Sequence, residues 1–219
     1  MTELISYTYS KSLDMGGSAA SGGGSSGNPQ TITCLQCGYG ASGFDQRHRF
    51  VSSTTYELPF GPGKPFLQHG PAAWIAGGFE VDGIVTLATG NPFTVTLNSG
   101  VNFGAPSWPN RIGPGTLPNP KPTAWFNVHD FVAPPFNTYG NSARSVLYGP
   151  GEANADLSLQ RTFHIHESIS LAIRGDAFNS FNHPNFLNPN SAIGSATAGV
   201  VSGTNLDNRD MQVSAKLVF

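Results

Sequence analysis

The chain has 219 residues, with 11 Lys+Arg against 13 Asp+Glu and a formal net charge of -2. Charged residues are 11% of it and aromatic residues another 11%, beside 27 Gly and 17 Pro. No basic excess exists to contact phosphates, so nucleic acid is not expected as a partner, and the aromatic content excludes a disordered chain.

The first patterned segment, residues 4–10, sets Ile5, Tyr7 and Tyr9 against Ser6, Thr8 and Ser10. That period of two predicts a strand with one apolar and one wet face. The start, MTELISYTYSKS, lacks the basic residues and apolar core of a secretory signal. An exported protein would therefore need residues upstream of Met1. The Gly/Ser-rich stretch GGSAASGGGSSGN follows, then Cys34-Leu35-Gln36-Cys37. A local disulfide is the favoured reading of this pair; idle thiols and redox or metal chemistry are the alternatives. Half a zinc site lacks two ligands, and no thioredoxin-like strand and helix flank the motif.

Residues 48–58 are the second predicted strand, with Phe50, Tyr56 and Leu58 opposite Arg49 and Glu57. The third, about 78–89, sets Phe79, Val81, Val85 and Leu87 against Glu80, Asp82 and Thr86. PFTVTLN, 92–98, reads as a further short strand. The fourth, 153–163, sets Ala153, Ala155, Leu157, Leu159 and Phe163 against Asn154, Asp156, Ser158, Gln160 and Thr162. The fifth, about 168–178, sets Ile169, Leu171, Ile173 and Ala177 against Ser168, Ser170, Arg174 and Asp176. The sixth, MQVSAKLVF, ends the chain with Met211, Val213, Ala215, Leu217 and Phe219 on one side. No segment of helical length repeats every 3.6 residues, and no run of about 18 apolar residues could form a membrane-crossing helix.

The connections run long, short, long, short, long: over 30 residues, about 18, about 60, about four and about 30. Outer-membrane barrels have short periplasmic turns and long outer loops, and they cross with strands that hydropathy scans miss. With the last strand ending in the periplasm, each loop falls on its proper side. The Ser/Thr/Asn/Gln faces suit a wet lumen and the aliphatic and aromatic faces suit lipid. Arg161, on the apolar face near a short turn, is expected to snorkel to the headgroups.

Several blocks, in order, resemble the carboxyl-terminal barrel region of Oar-like TonB-dependent receptors. They are SYTYSKSLD (6–14), FDQRHRFVSSTTYELPFGPGKP (44–65), GNPFTVT (90–96), YGNSARSVLYGPG (139–151), ADLSLQRTFHI (155–165), IRGDAFNSFNHPNF (173–186) and the terminal MQVSAKLVF. The resemblance implies an all-β fold, an antiparallel up-and-down meander forming the last six or so strands of a large transmembrane β-barrel. Residues 1–219 would be its C-terminal part, with the plug domain absent, since about six strands fall short of the ~8 a small barrel needs. The implied setting is the bacterial outer membrane, and the implied activity is uptake of an unidentified ligand. The partners would be outer-membrane lipid, the barrel-assembly machinery, and TonB acting through a missing N-terminal part. Val213, Ala215, Leu217 and Phe219 look like the assembly signal.

On the wet face, Asp156, Arg174 and Asp176 are the candidate ligand contacts, with a structural ion pair as the plainer reading. Face matching allows Asp156 directly opposite Arg174. His164 and His166 are at the expected tight turn, but without a third ligand they predict no metal site. His183 is expected to hydrogen-bond loop backbone. Arg47, His48 and Arg49 suit lipopolysaccharide phosphates, though solvated rim charges are the default. GPGKP lacks phosphate-loop spacing, and no nucleophile elbow occurs. No enzymatic activity and no cofactor is expected. The alternative function is a secreted β-sandwich ligand-binding module, carbohydrate-binding-like, with its apolar faces buried between two sheets.

Overall fold

The computed structural model describes residues 1–15, 30–31, 33–98, 107–166 and 169–219. Its six long strands are β1 (Thr2–Tyr9), β2 (His48–Glu57), β3 (Phe79–Ala88), β4 (Glu152–His166), β5 (Ile169–Phe178) and β6 (Asp210–Val218). They form one antiparallel sheet in chain order, each strand pairing with its sequence neighbours. β1 and β6 are its two edges. The sheet is thus an open up-and-down meander.

The strand starts and ends fall within three residues of those expected from alternation. The largest departure is β4, which runs on to His166. Its alternation continues, with a register irregularity between His164 and His166 before the chain returns as β5. The two histidines therefore belong to the strand, not to a turn. The turn residues 167 and 168, including Ser168 of the expected polar face, lie outside the described residues, as does the stretch GGSAASGGGSSGN.

The apolar side of the sheet is its uncovered side. Leu157 and Leu159 are exposed while Ser158 between them is buried. On β6, Val213 is 81% exposed. A sandwich would bury these side chains against a second sheet; among the described residues none covers them. That leaves the β-sandwich alternative without support.

The connections 10–47, 89–151 and 179–209 all leave from one end of the sheet, set by the pairs Tyr9↔His48, Glu152↔Ala88 and Phe178↔Asp210. These long loops fold together into a cap with its own apolar core of Phe93, Val95, Phe126, Phe131 and Leu147. Short two-stranded pairings stitch it. The expected strand at 92–98 is two pieces: Pro92–Phe93 pairs with Leu147–Tyr148, and Thr96–Leu97 runs parallel to Ala192–Ile193. Fully buried Val95 separates them. The chain bends there to fill a core, which a period-two pattern does not report.

At the other end, the 58–78 connection carries a short helix, α1 (Pro71–Ala76), opened by a proline in its first turn. Gly61 and Gly77 clamp its ends together. A Cβ on Gly61, whose φ is +108°, would come within 2.7 Å of the Gly77 Cα. Glycine is required at such an approach.

Candidate lumen site and its loop cap

The polar side of the sheet builds a cross-strand row. The register aligns Thr55, Asp82, Ser158, Asp176 and Gln212, one from each of β2 to β6. Thr55 Oγ1 donates to Asp82 Oδ1 at 2.9 Å, and Ser158 Oγ donates to Asp82 Oδ2 at 3.2 Å. Gln212 Nε2 donates to Asp176 Oδ2 at 3.3 Å. Arg174 lies one row nearer the short turn. It reaches Asp176 Oδ1 through Nε at 2.7 Å and Asp82 Oδ2 through Nη1 at 3.2 Å. One guanidinium thus joins carboxylates from β3 and β5 across Ser158.

Asp156 is not opposite Arg174, which corrects the expected pairing. Gln160 faces Arg174, and Asp156 faces Ile84 on β3. Parity allows many pairings, but the close return between β4 and β5 fixes one. Asp156 Oδ1 accepts from Asn154 Nδ2 at 3.0 Å and from the Asn179 backbone N–H at 2.9 Å. It holds the exit of β5, where Asn179 turns with φ 46°. Asp156, Arg174 and Asp176 still line one cavity, of about 120 Å³, with Ser158 and Phe178. That is below the ~300–1,000 Å³ of a typical small-molecule site.

A larger cavity, of about 300 Å³, opens where the bases of the three long loops meet. Gln46, Asn91, Glu152, Asn188 and Asn205 line it, and none of their side chains has a hydrogen-bond partner among the described residues. Asn185, also in its wall, accepts from the Ala153 N–H at 2.7 Å and so ties the third loop to the start of β4. The amides can both donate and accept, and Phe186 adds an aromatic surface. This site was missed from sequence because its residues come from three connections. Its only signal is the density of Asn around residues 182–190 and 205.

The cap is held by charges whose roles were also not legible. Arg144 is 2% exposed and ion-pairs with Asp14. Its Nε donates to the Gly38 carbonyl at 2.8 Å and its Nη2 to the Gly40 carbonyl at 3.2 Å. Buried Asp45 accepts from the Ser12 N–H at 2.7 Å and from the Tyr148 hydroxyl at 3.2 Å. These bonds tie the first long loop to the second. Arg47 lies 3.5 Å from Asp45 and donates to the Tyr148 hydroxyl. The bond to Tyr148, then one to Tyr9, holds its pKa above the ordinary value.

Arg47 and His48 are therefore partnered, not free rim charges. His48 Nδ1 lies 2.8 Å from the Tyr7 hydroxyl, with the Tyr9 ring centroid 5.2 Å away. His183 uses its backbone, which exchanges bonds with the Asn179 side chain; among the described residues no bond involves its ring. Cys34 and Cys37 are disulfide-bonded around a single 3₁₀ turn, Leu35–Gly38, with Cα atoms 5.4 Å apart. Val213, Ala215 and Leu217 line the apolar side of edge strand β6, and Phe219 follows it. Arg161 does not simply extend toward headgroups: it donates to the carbonyls of Trp74 and Ile75 in α1.

A scan against protein families matches residues 1–212 to one described as an outer membrane beta barrel domain. Searches of curated proteins and of solved structures found no match.

Proposed function

The chain belongs to the outer membrane β-barrel domain family and is a bacterial outer-membrane protein; on that premise we propose that it forms the carboxyl-terminal wall of a TonB-dependent uptake receptor. In this reading the six strands are one arc of a larger barrel, and further strands close it against edges β1 and β6. The barrel-assembly machinery takes β6 first, through Val213, Ala215, Leu217 and Phe219. Ligand enters through the cap and meets the loop-base cavity before the Asp82–Arg174–Asp176 row. Transport energy comes from TonB acting on a plug elsewhere in the receptor. The chain's own residues bind and guide, and perform no bond chemistry.

The observation that carries this reading is the open sheet: among the described residues, an uncovered apolar side, a hydrogen-bonded polar side and two unpaired edges. An arc with those features needs lipid outside, a lumen inside and more strands beside it. Transport specifically rests on the block-by-block resemblance to Oar-like receptors. The test is an immunoblot of native outer membranes with an antibody to the cap, combined with cross-linking to TonB. A receptor predicts a product far above 23.0 kDa that cross-links to TonB. A folded outer-membrane product of 23.0 kDa that does not cross-link would contradict it.

A further inference from the structure

We propose that the 58–78 connection is a membrane-interface anchor, with α1 resting on the lipid side of the wall in the periplasmic leaflet of the outer membrane. The sequence alone suggests a plain periplasmic turn there.

The placement follows from Arg161. It pairs with Phe79 on β3 and Ile173 on β5, so it shares the apolar side with Leu157, Leu159 and Phe163. From that side its Nη1 donates to the Ile75 carbonyl at 2.7 Å, and its Nη2 donates to the Trp74 carbonyl. The last carbonyls of a helix have no partner within it, and a two-pronged guanidinium meets two at once. The guanidinium carbon also lies 4.3 Å from the Phe163 ring centroid, 5.1 Å from Phe79 and 5.7 Å from Trp74. Such rings attract a cation. α1 is thereby fastened to the outside of the sheet, not beneath the lumen.

What α1 then presents is apolar. Ala73 is buried against the connection, while Trp74 is 70% exposed and Ile75 63%. Within residues 58–78 the only titratable side chains are Lys64 and His69, and Lys64 is paired with Glu57. A connection surrounded by water gains nothing from exposing Trp and Ile with so little charge. One at the headgroup level does, because indole places an apolar body in lipid and an N–H at the wet boundary. The patch is continuous with the lipid-facing side of β3 and β4 through Phe79 and Phe163, which selects phospholipid over a protein as its occupant.

The test uses the full chain in isolated outer membranes. Its only cysteines, Cys34 and Cys37, are tied in a disulfide, so one introduced cysteine carries one nitroxide label. Labels at W74C and I75C are compared with L159C on the lipid-facing strand surface and N137C in the cap. Collision rates are measured with oxygen, which concentrates in lipid, and with a water-soluble nickel chelate. The expected oxygen-to-nickel ratio at both α1 positions lies severalfold above that at 137, toward the value at 159. In the Arg161→Ala background it falls toward the value at 137, while L159C keeps its ratio and so reports that the wall still folds. A ratio at 74 and 75 equal to that at 137 overturns the anchor. Suppression of both collision rates overturns it too, because it means that protein covers the helix.

Discussion

The wall and the cap use the same side chains by opposite rules. In the wall, Leu157 and Leu159 are exposed and Ser158 is buried; in the cap, Val95, Phe126 and Phe131 are buried, with half-buried Trp125, Val128, Val146 and Ile193 packed against them. The wall's polar side is satisfied by cross-strand bonds such as Thr55 to Asp82 and Gln212 to Asp176. The cap joins its polar groups across loops instead, through Arg144 to Asp14 and Gly38, Asp45 to Tyr148, and Gln30 to the Gly140 carbonyl. The difference teaches where each region finds its apolar solvent. Lipid supplies it to the wall, so strands need only alternate. The cap stands in water and must supply its own, so the 89–151 loop folds around a core, against which Ile193 of the third loop packs.

The largest expected effect lies in the cap. Phe126→Ala removes a ring packed against Phe93 and Phe131 at centroid distances of 5.6 and 5.8 Å. It should cost the cap about 3–5 kcal/mol, read as faster proteolysis of the outer loops with the wall still protected. If wall and cap loosen together, the two are one cooperative unit and the contrast fails. Next, Leu159→Arg on the lipid side should cost about 2–4 kcal/mol in a bilayer, measured by urea unfolding in lipid vesicles. Little cost would mean that this face meets water.

Arg144→Ala comes third. It leaves the first long loop without its tie to residue 144, but the Asp14 side chain is partly exposed and can recover water. The loss should therefore fall below the ~3–5 kcal/mol of a fully buried broken pair, appearing as proteolysis near residues 30–45. The smallest effect is expected for Arg174→Ala. Its guanidinium is partly exposed, so removing it should change wall stability by about 1 kcal/mol or less. If it instead abolishes assembly, the lumen row is a folding element and not a lining.

Much of the wall was legible because its rule is local. Alternation located all six strands, assigned Leu159 and Ser158 to opposite sides, and put the long loops at one end. The register was less legible: it turns on the return between β4 and β5, which moved Asp156 away from Arg174 and set Gln160 there. The cap was illegible for a physical reason. Val95, Phe126 and Leu147 are far apart in sequence and obey no period, so nothing local marks them as one core. Arg144 reads as one more polar residue among serines until the Gly38 and Gly40 carbonyls surround it. Arg161 was assigned to the correct side but not to its partners, because α1 is too short to show a helical repeat.

The most direct test of the central claim, lipid outside and lumen inside, is a cysteine scan along β4 from residue 153 to 160 in intact outer membranes. Each variant is treated with a water-soluble maleimide. Positions 154, 156 and 160 should react, while 153, 157 and 159 should stay unlabelled until detergent-free unfolding exposes them. Labelling of 157 and 159, or no two-residue alternation at all, would contradict the account.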